Sequence, residues 1–207
     1  EKALKAVKGS LRAIESGEEE ACEKLMYGLI LSGLAMQMAG NSRPASGAEH
    51  HMSHFWEMEV INGPLDALHG EKVSVGTMLV LEEYKRIAKA ISEKRCKVTE
   101  YKNSDEELLQ ETFGKKGILE KIRKENEPEL LLEVQLDRLK ECLPEIAEII
   151  EKLPEPEEMK ALLEKAGCRR SLNDIGLSDK DKELSLRLSP YVRRRLTLMR
   201  VSKMLEI

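Results

Sequence analysis

What most restricts the fold of this chain is its lack of any strand-forming pattern. Across 207 residues no run of β-branched residues alternates with polar ones for long enough to build a sheet. Apolar residues recur instead at helical spacing, as at Leu4, Val7, Leu11 and Ile14. Glu, Lys, Leu and Ala dominate the composition, with 35% charged and only 3% aromatic residues. These are helix formers with little rotamer freedom to lose in a helix. The expectation is an all-α, multi-helix bundle, a single domain over 1–207, long enough to bury a substantial core.

The periodicity predicts helices over 1–14, 18–39, 46–60 and 69–92, then over 105–113, 117–124, 129–139, 144–151, 156–166, 180–188 and 190–205. Gly40 and Asn41 close the second of these and Pro44 forbids its continuation. Ser46 is the expected N-cap of the third, and Asn62-Gly63-Pro64 marks a turn. The helix over 18–39 is apolar nearly all round beyond Leu25 and carries the small residues Gly28, Gly33 and Ala35. That pattern reads as a central, buried helix. A Gly-rich phosphate-binding turn between a strand and a helix is not found.

A net charge of −4 gives no electrostatic case for nucleic acid, which calls for a basic face. Cys22, Cys96, Cys142 and Cys168 are scattered, without a CxxC pair, and read as small buried residues of a reducing compartment. The opening residues are charged rather than leader-like, and the apolar stretch 29–38 is too short to span a bilayer. A soluble, cytoplasmic protein is expected.

All four histidines, His50, His51, His54 and His69, fall within twenty residues. His50 and His54 are four apart, so a helix places them on one face, about 6 Å apart along the axis. His51 points about 100° away from His50. His69 opens the next helix after the turn, and an antiparallel pairing of the two helices returns it toward His50. Imidazoles so placed suit zinc, nickel, iron or copper, and occupancy should fall as pH drops through the ordinary histidine range near about 6.5. Taken alone, the residues leave surface or capping histidines open as the other reading. The loop before them offers Ser42, Arg43, Ser46 and the amides near Gly47 and Ala48 at a helix N-terminus, which is either an anion site or a plain capping loop.

The run from Gly33 through Asn41-Ser42-Arg43-Pro44-Ala45-Ser46-Gly47-Ala48-Glu49-His50 resembles the signature segment of sn-glycerol-1-phosphate dehydrogenases. So do His51-Met52-Ser53-His54-Phe55-Trp56-Glu57-Met58 and Leu68-His69-Gly70-Glu71-Lys72-Val73. The HxxxH and the downstream His-Gly are shared with the wider superfamily of glycerol dehydrogenases, iron-containing alcohol dehydrogenases and dehydroquinate synthases. The Asn-Ser-Arg-Pro-Ala-Ser-Gly form is narrower. The tail around 175–178 and 192–197 is similar more loosely.

The resemblance implies the C-terminal metal-binding domain of a dehydroquinate synthase-like, iron-containing alcohol dehydrogenase fold. It implies one divalent metal (zinc or nickel, with iron third) held by His50 and His69, and His54 near the reacting carbonyl. NAD or NADP would be bound mainly by the enzyme's own N-terminal nucleotide-binding domain, which this chain does not include, so no cofactor-binding residue is assigned here. The upstream aspartate that completes the family's metal site also lies outside the chain. The substrate would be a phosphorylated small molecule, with Arg43 and Ser46 toward its phosphate, and the enzyme a homo-oligomer. The fragment alone is expected to be inactive. A glycerol dehydrogenase-like domain and a non-catalytic helical interaction module are the competing readings.

Overall fold

A computed structural model describes residues 18–207; the expected helix over 1–14 lies outside them. The first described helix, α1 (Glu19–Ala39), ends at Gly40, whose φ of +65° is the left-handed conformation open to glycine. The Gly40 amide donates to the Gln37 carbonyl and the Asn41 amide to the Met36 carbonyl, a paired C-terminal cap. A short 3-10 turn over Arg43–Ala45 leads into α2 (Ala48–Glu57). The loop through Asn62-Gly63-Pro64 then leads to α3 (His69–Ser92), the longest helix among the described residues.

Helix α3 is the spine. Its Val75, Leu79 and Val80 pack with Ala48, Met52, Phe55 and Trp56 of α2. Ridges meet closely where the two helices cross, and a Cβ placed on Gly76 would fall 2.7 Å from the Glu49 carbonyl oxygen. This core is closed by α4 (Glu106–Phe113), α5 (Leu119–Glu125), α8 (Asp181–Leu188), the 3-10 turns Asn173–Ile175 and Ser189–Val192, and Met199 near the end of the chain. Phe55 and Phe113 meet edge to face with ring centroids 5.9 Å apart. The Trp56 indole N–H donates to Ser185 Oγ at 2.8 Å, so the one tryptophan is buried without an orphaned donor.

The far end of α3 packs on α6 (Leu136–Glu151), with Ala88, Ala147 and Ile150 buried between them. Between α6 and α8 lies α7 (Pro156–Lys165). A short helix, α9 (Leu198–Val201), and a two-residue antiparallel pair end the chain. In that pair β1 (Lys97–Val98) meets β2 (Leu205–Glu206), with Lys97 opposite Glu206 and Val98 opposite Leu205. Beneath the returning tail, Arg200 is 1% exposed. Its guanidinium donates to both Glu129 oxygens, at 3.0 and 2.8 Å, and to Asn126 Oδ1 at 2.7 Å. A buried charge is tolerable only when paired and hydrogen-bonded in this way.

The all-α class is as expected, but several local expectations are corrected. Helix α1 is not buried: Met26, Tyr27, Leu29 and Ile30 are each more than half exposed, and only Ala21 and Gly28 are buried. Apolarity reports what a helix can bury, not that a partner lies on it. Helix α2 starts at Ala48 with Gly47 as its N-cap, so Ser46 does not cap it, and it stops at Glu57 because Glu59 turns to φ +53°.

The break expected between 139 and 144 is absent, since α6 runs through Pro144. A proline inside a helix costs about 3 kcal/mol. Here Leu139 before it and Ala147 and Ile150 after it are buried on one continuous face, and that packing outweighs the lost hydrogen bond. The expected helix 190–205 is broken into two 3-10 turns, α9 and β2, with an extended Arg193 between them. The cysteines are free, Cys22 exposed and the other three only part-buried, so none is the core residue expected of it.

Candidate metal centre

The helical pitch places His50 and His54 on one side of α2, and the loop over 58–68 returns the chain so that His69, first residue of α3, faces them. The ring centroids of His50 and His69 are 5.5 Å apart and those of His54 and His69 5.2 Å. Three of the four histidines therefore meet at one spot where α2 and α3 join. The fourth does not. His51 lies on the adjacent, buried side of α2 at 1% exposure, and neither ring nitrogen has a hydrogen-bond partner. Burial, reinforced by the Arg195 charge nearby, pushes its pKa down to about 4. His51 is thus a neutral core residue.

Sequence reasoning did not single out the carboxylate at the centre of this cluster. Glu57, on the last turn of α2, accepts from His69 Nδ1 at 2.8 Å and from His54 Nδ1 at 3.0 Å. Lys72 Nζ stands 3.2 Å from the same carboxylate and Ser53 Oγ donates to it at 3.3 Å. Burial works to raise the Glu57 pKa, but the hydrogen bonds from His69, His54 and Lys72 outweigh it and hold the carboxyl at about 2. Its position was legible in principle. Residues 50, 54 and 57 stand at i, i+4 and i+7, one stripe of a helix.

A second carboxylate, Glu49, accepts from His50 Nδ1 at 2.8 Å and from the Gly47 amide at 2.7 Å. The pKa of Glu49 is lowered: burial opposes ionisation, and the contacts with His50 and Gly47 prevail. The Gly47 amide is therefore engaged by the helix's own side chain rather than open to a ligand.

Among the described residues, the donor atoms of His54, Glu57 and His69 all lie within 4.8 Å of one another. Imidazoles and carboxylates gathered in that span are the N,O chemistry that suits a borderline divalent ion such as zinc, nickel or iron, with the Nδ1 atoms of His54 and His69 already engaged by Glu57. His50 stands beside the set through its ring contact with His69.

The anion-site candidates are less closely drawn together. Arg43 is exposed and, among the described residues, meets no carboxylate. Ser46 is half-buried, and its carbonyl accepts from Arg195 Nη1 at 2.8 Å, while Arg195 Nη2 donates to Ser42 Oγ at 2.8 Å. Arg195, separated from this loop by some 150 residues of chain, is a contact that no local pattern discloses.

A mostly helical body with a single two-stranded pair is consistent with the all-α C-terminal domain of the iron-containing dehydrogenase fold. Comparison of the sequence with known proteins narrows this. The chain is 32% identical over 201 residues to a glycerol-1-phosphate dehydrogenase of Geobacillus stearothermophilus, NAD(P)+-linked by its name, covering 96% of this chain and 43% of that protein. It is 33% identical over 189 residues to the enzyme of the same name from Halalkalibacterium halodurans, covering 90% and 39%. A 67-residue stretch is 48% identical to the Pyrococcus horikoshii enzyme of that name, covering 32% and 18%. Over its length the chain belongs to the glycerol-1-phosphate dehydrogenase family, matching the C-terminal part of its members. It spans about two fifths of the length of the curated relatives that it matches along most of its own sequence. No family model and no solved structure matches.

Proposed function

We propose that this chain is the metal-holding helical part of an NAD(P)-dependent sn-glycerol-1-phosphate dehydrogenase, which reduces dihydroxyacetone phosphate to sn-glycerol 1-phosphate. The observation that carries the reading is the meeting of His50, His54 and His69, the last two on Glu57, in a chain matched along nearly all its length by enzymes of that name. His50 and His69 hold the divalent ion, zinc or nickel and in third place iron. When bound, that ion supplies Lewis-acid polarisation of the substrate ketone.

The reaction adds a hydride from NAD(P)H to the carbonyl carbon and a proton to its oxygen. His54, in its protonated form, delivers that proton as a general acid, one helical turn from His50. Glu57 and Lys72 keep the cluster charge-balanced. Arg43 and Ser46 take the substrate phosphate, and Arg195, docked on the Ser46 carbonyl and Ser42 hydroxyl, adds a second guanidinium to that loop. The nicotinamide cofactor is bound by the enzyme's own N-terminal domain, and the whole protein works as a cytoplasmic homo-oligomer. Among the described residues no helix is long and apolar enough to cross a membrane.

The test is made on the full-length enzyme, following NAD(P)H oxidation with dihydroxyacetone phosphate beside metal analysis. His69→Ala should lose bound metal and turnover together. Full activity in that variant rejects the ligand role. The 207-residue chain alone should show no cofactor-dependent turnover, and any measurable rate would overturn the need for the nucleotide-binding half.

A further inference from the structure

An imidazole can bind an ion or accept a proton only through a nitrogen that is not already carrying hydrogen. Which nitrogen that is depends on the partner of the other one. In water a free histidine side chain favours hydrogen on Nε2, which is the wrong form for a ring that must offer Nε2. In this cluster the two Nδ1 atoms of His54 and His69 face the two oxygens of one carboxylate. His54 Nδ1 lies 3.0 Å from Glu57 Oε2, and His69 Nδ1 lies 2.8 Å from Glu57 Oε1. An ionised carboxylate accepts hydrogen bonds and donates none. Lys72 Nζ, 3.2 Å from Oε1, favours that ionised form. Each ring must then carry its hydrogen on Nδ1 and leave Nε2 bare.

We propose that Glu57 is a positioning residue, a single carboxylate that sets His54 and His69 together in the Nδ1–H tautomer. The two rings do different work under the function proposed above, on which this assignment of roles rests. His69 would offer its bare Nε2 to the ion, and the bare Nε2 of His54 accepts the proton of the reacting oxygen in the oxidation direction and, once it carries that proton, returns it in the reduction. One carboxylate thereby locks the orientation of both, as outer-shell carboxylates do for metal-bound histidines. His50 is set separately, through Glu49 at 2.8 Å.

Ser53 is the competing explanation for His69, because its hydroxyl also lies 3.2 Å from His69 Nδ1. A hydroxyl can donate as well as accept, so it dictates no tautomer.

The experiment is long-range proton–nitrogen NMR of the histidine rings in the metal-free 207-residue chain. It is recorded at pH 8.5, about two units above the ordinary imidazole value. In the wild type, His54 and His69 should both show hydrogen on Nδ1. In Glu57→Ala both should move to the Nε2–H form. Glu57→Gln keeps the side-chain volume and is the control against loss of folding. Its amide has one acceptor and one donor end, so only one ring should keep Nδ1–H while the other reverses. Ser53→Ala should leave both rings as in the wild type. Unchanged tautomers in both Glu57 variants, or reversal of His69 in Ser53→Ala alone, would overturn the proposal.

Zinc titration of the same samples separates this inference from the functional reading. Affinity should drop about 10- to 100-fold in Glu57→Ala. If the tautomers respond as stated but the wild type binds no zinc, the positioning role stands and the metal assignment falls.

Discussion

Four histidines within twenty residues divide into two kinds, and burial makes the division. His50, His54 and His69 keep carboxylate partners at the part-exposed surface of α2 and α3, while His51 is sealed into the core with both nitrogens unpartnered. A helical wheel separates His51 from its neighbours, but it does not say which face is the inside. That was fixed by Met52, Phe55 and Trp56, which turn the His51 side toward the core. Glu57 was equally visible as a stripe position and equally mute until His69 was brought across a loop to meet it.

The His51 environment has a measurable consequence. An unfolded chain takes up a proton on this ring near pH 6.5, whereas the native ring refuses it until about 4. The unfolded state therefore binds more protons in that window, and native stability declines as pH falls from 6.5 to 4. The loss is about 3 kcal/mol at most. Urea midpoints of the wild type should fall over this range more steeply than those of His51→Leu. Equal slopes would show that the ring is protonated, or free, in the native protein.

At the scale of elements, the long periodic segments were readable and their ends were not. Helices α3 and α7 follow the apolar spacing closely, whereas α6 crosses a proline that ought to have divided it. The 190–205 segment breaks where Arg193 turns extended and the tail must pass over Arg200. Local propensity sets each of these expectations, and packing on α3 overrides it. The crossing of α2 on α3 is the most demanding contact for the site, because it carries both halves of the histidine cluster.

Gly76 permits that crossing. In Gly76→Ala the new methyl would sit 2.7 Å from the Glu49 carbonyl, a backbone atom that cannot rotate aside. A loss of about 1–3 kcal/mol is expected, against the small gain alanine normally brings to a helix interior. The Glu49–His50 end of α2 would be displaced with it. Thermal unfolding decides the sign, and a more stable Gly76→Ala protein would mean that the two helices do not approach this closely at Gly76.

For the whole molecule, the distribution of apolar surface is the main departure from a self-contained domain. The core around α2 and α3 is well filled, yet Met26, Leu29, Ile30 and Met38 of α1 stand exposed. The sequence disclosed the fold class and the family resemblance through the 33–50 segment and the two histidine motifs. It could not disclose how Arg195, from the far end of the chain, closes on Ser42 and Ser46, because contacts across some 150 residues leave no periodic trace.

The central claim is that this histidine cluster holds a divalent ion, and cobalt(II) as an optical stand-in for zinc puts it to the test most directly. Titrating the ion into the 207-residue chain at pH 8 should give a saturating visible absorption band at one equivalent. The band should be lost in His69→Ala and unaffected in a variant of an exposed histidine-free surface, such as Lys140→Ala. No saturable band, or one that His69→Ala leaves unchanged, would contradict a metal site where α2 meets α3.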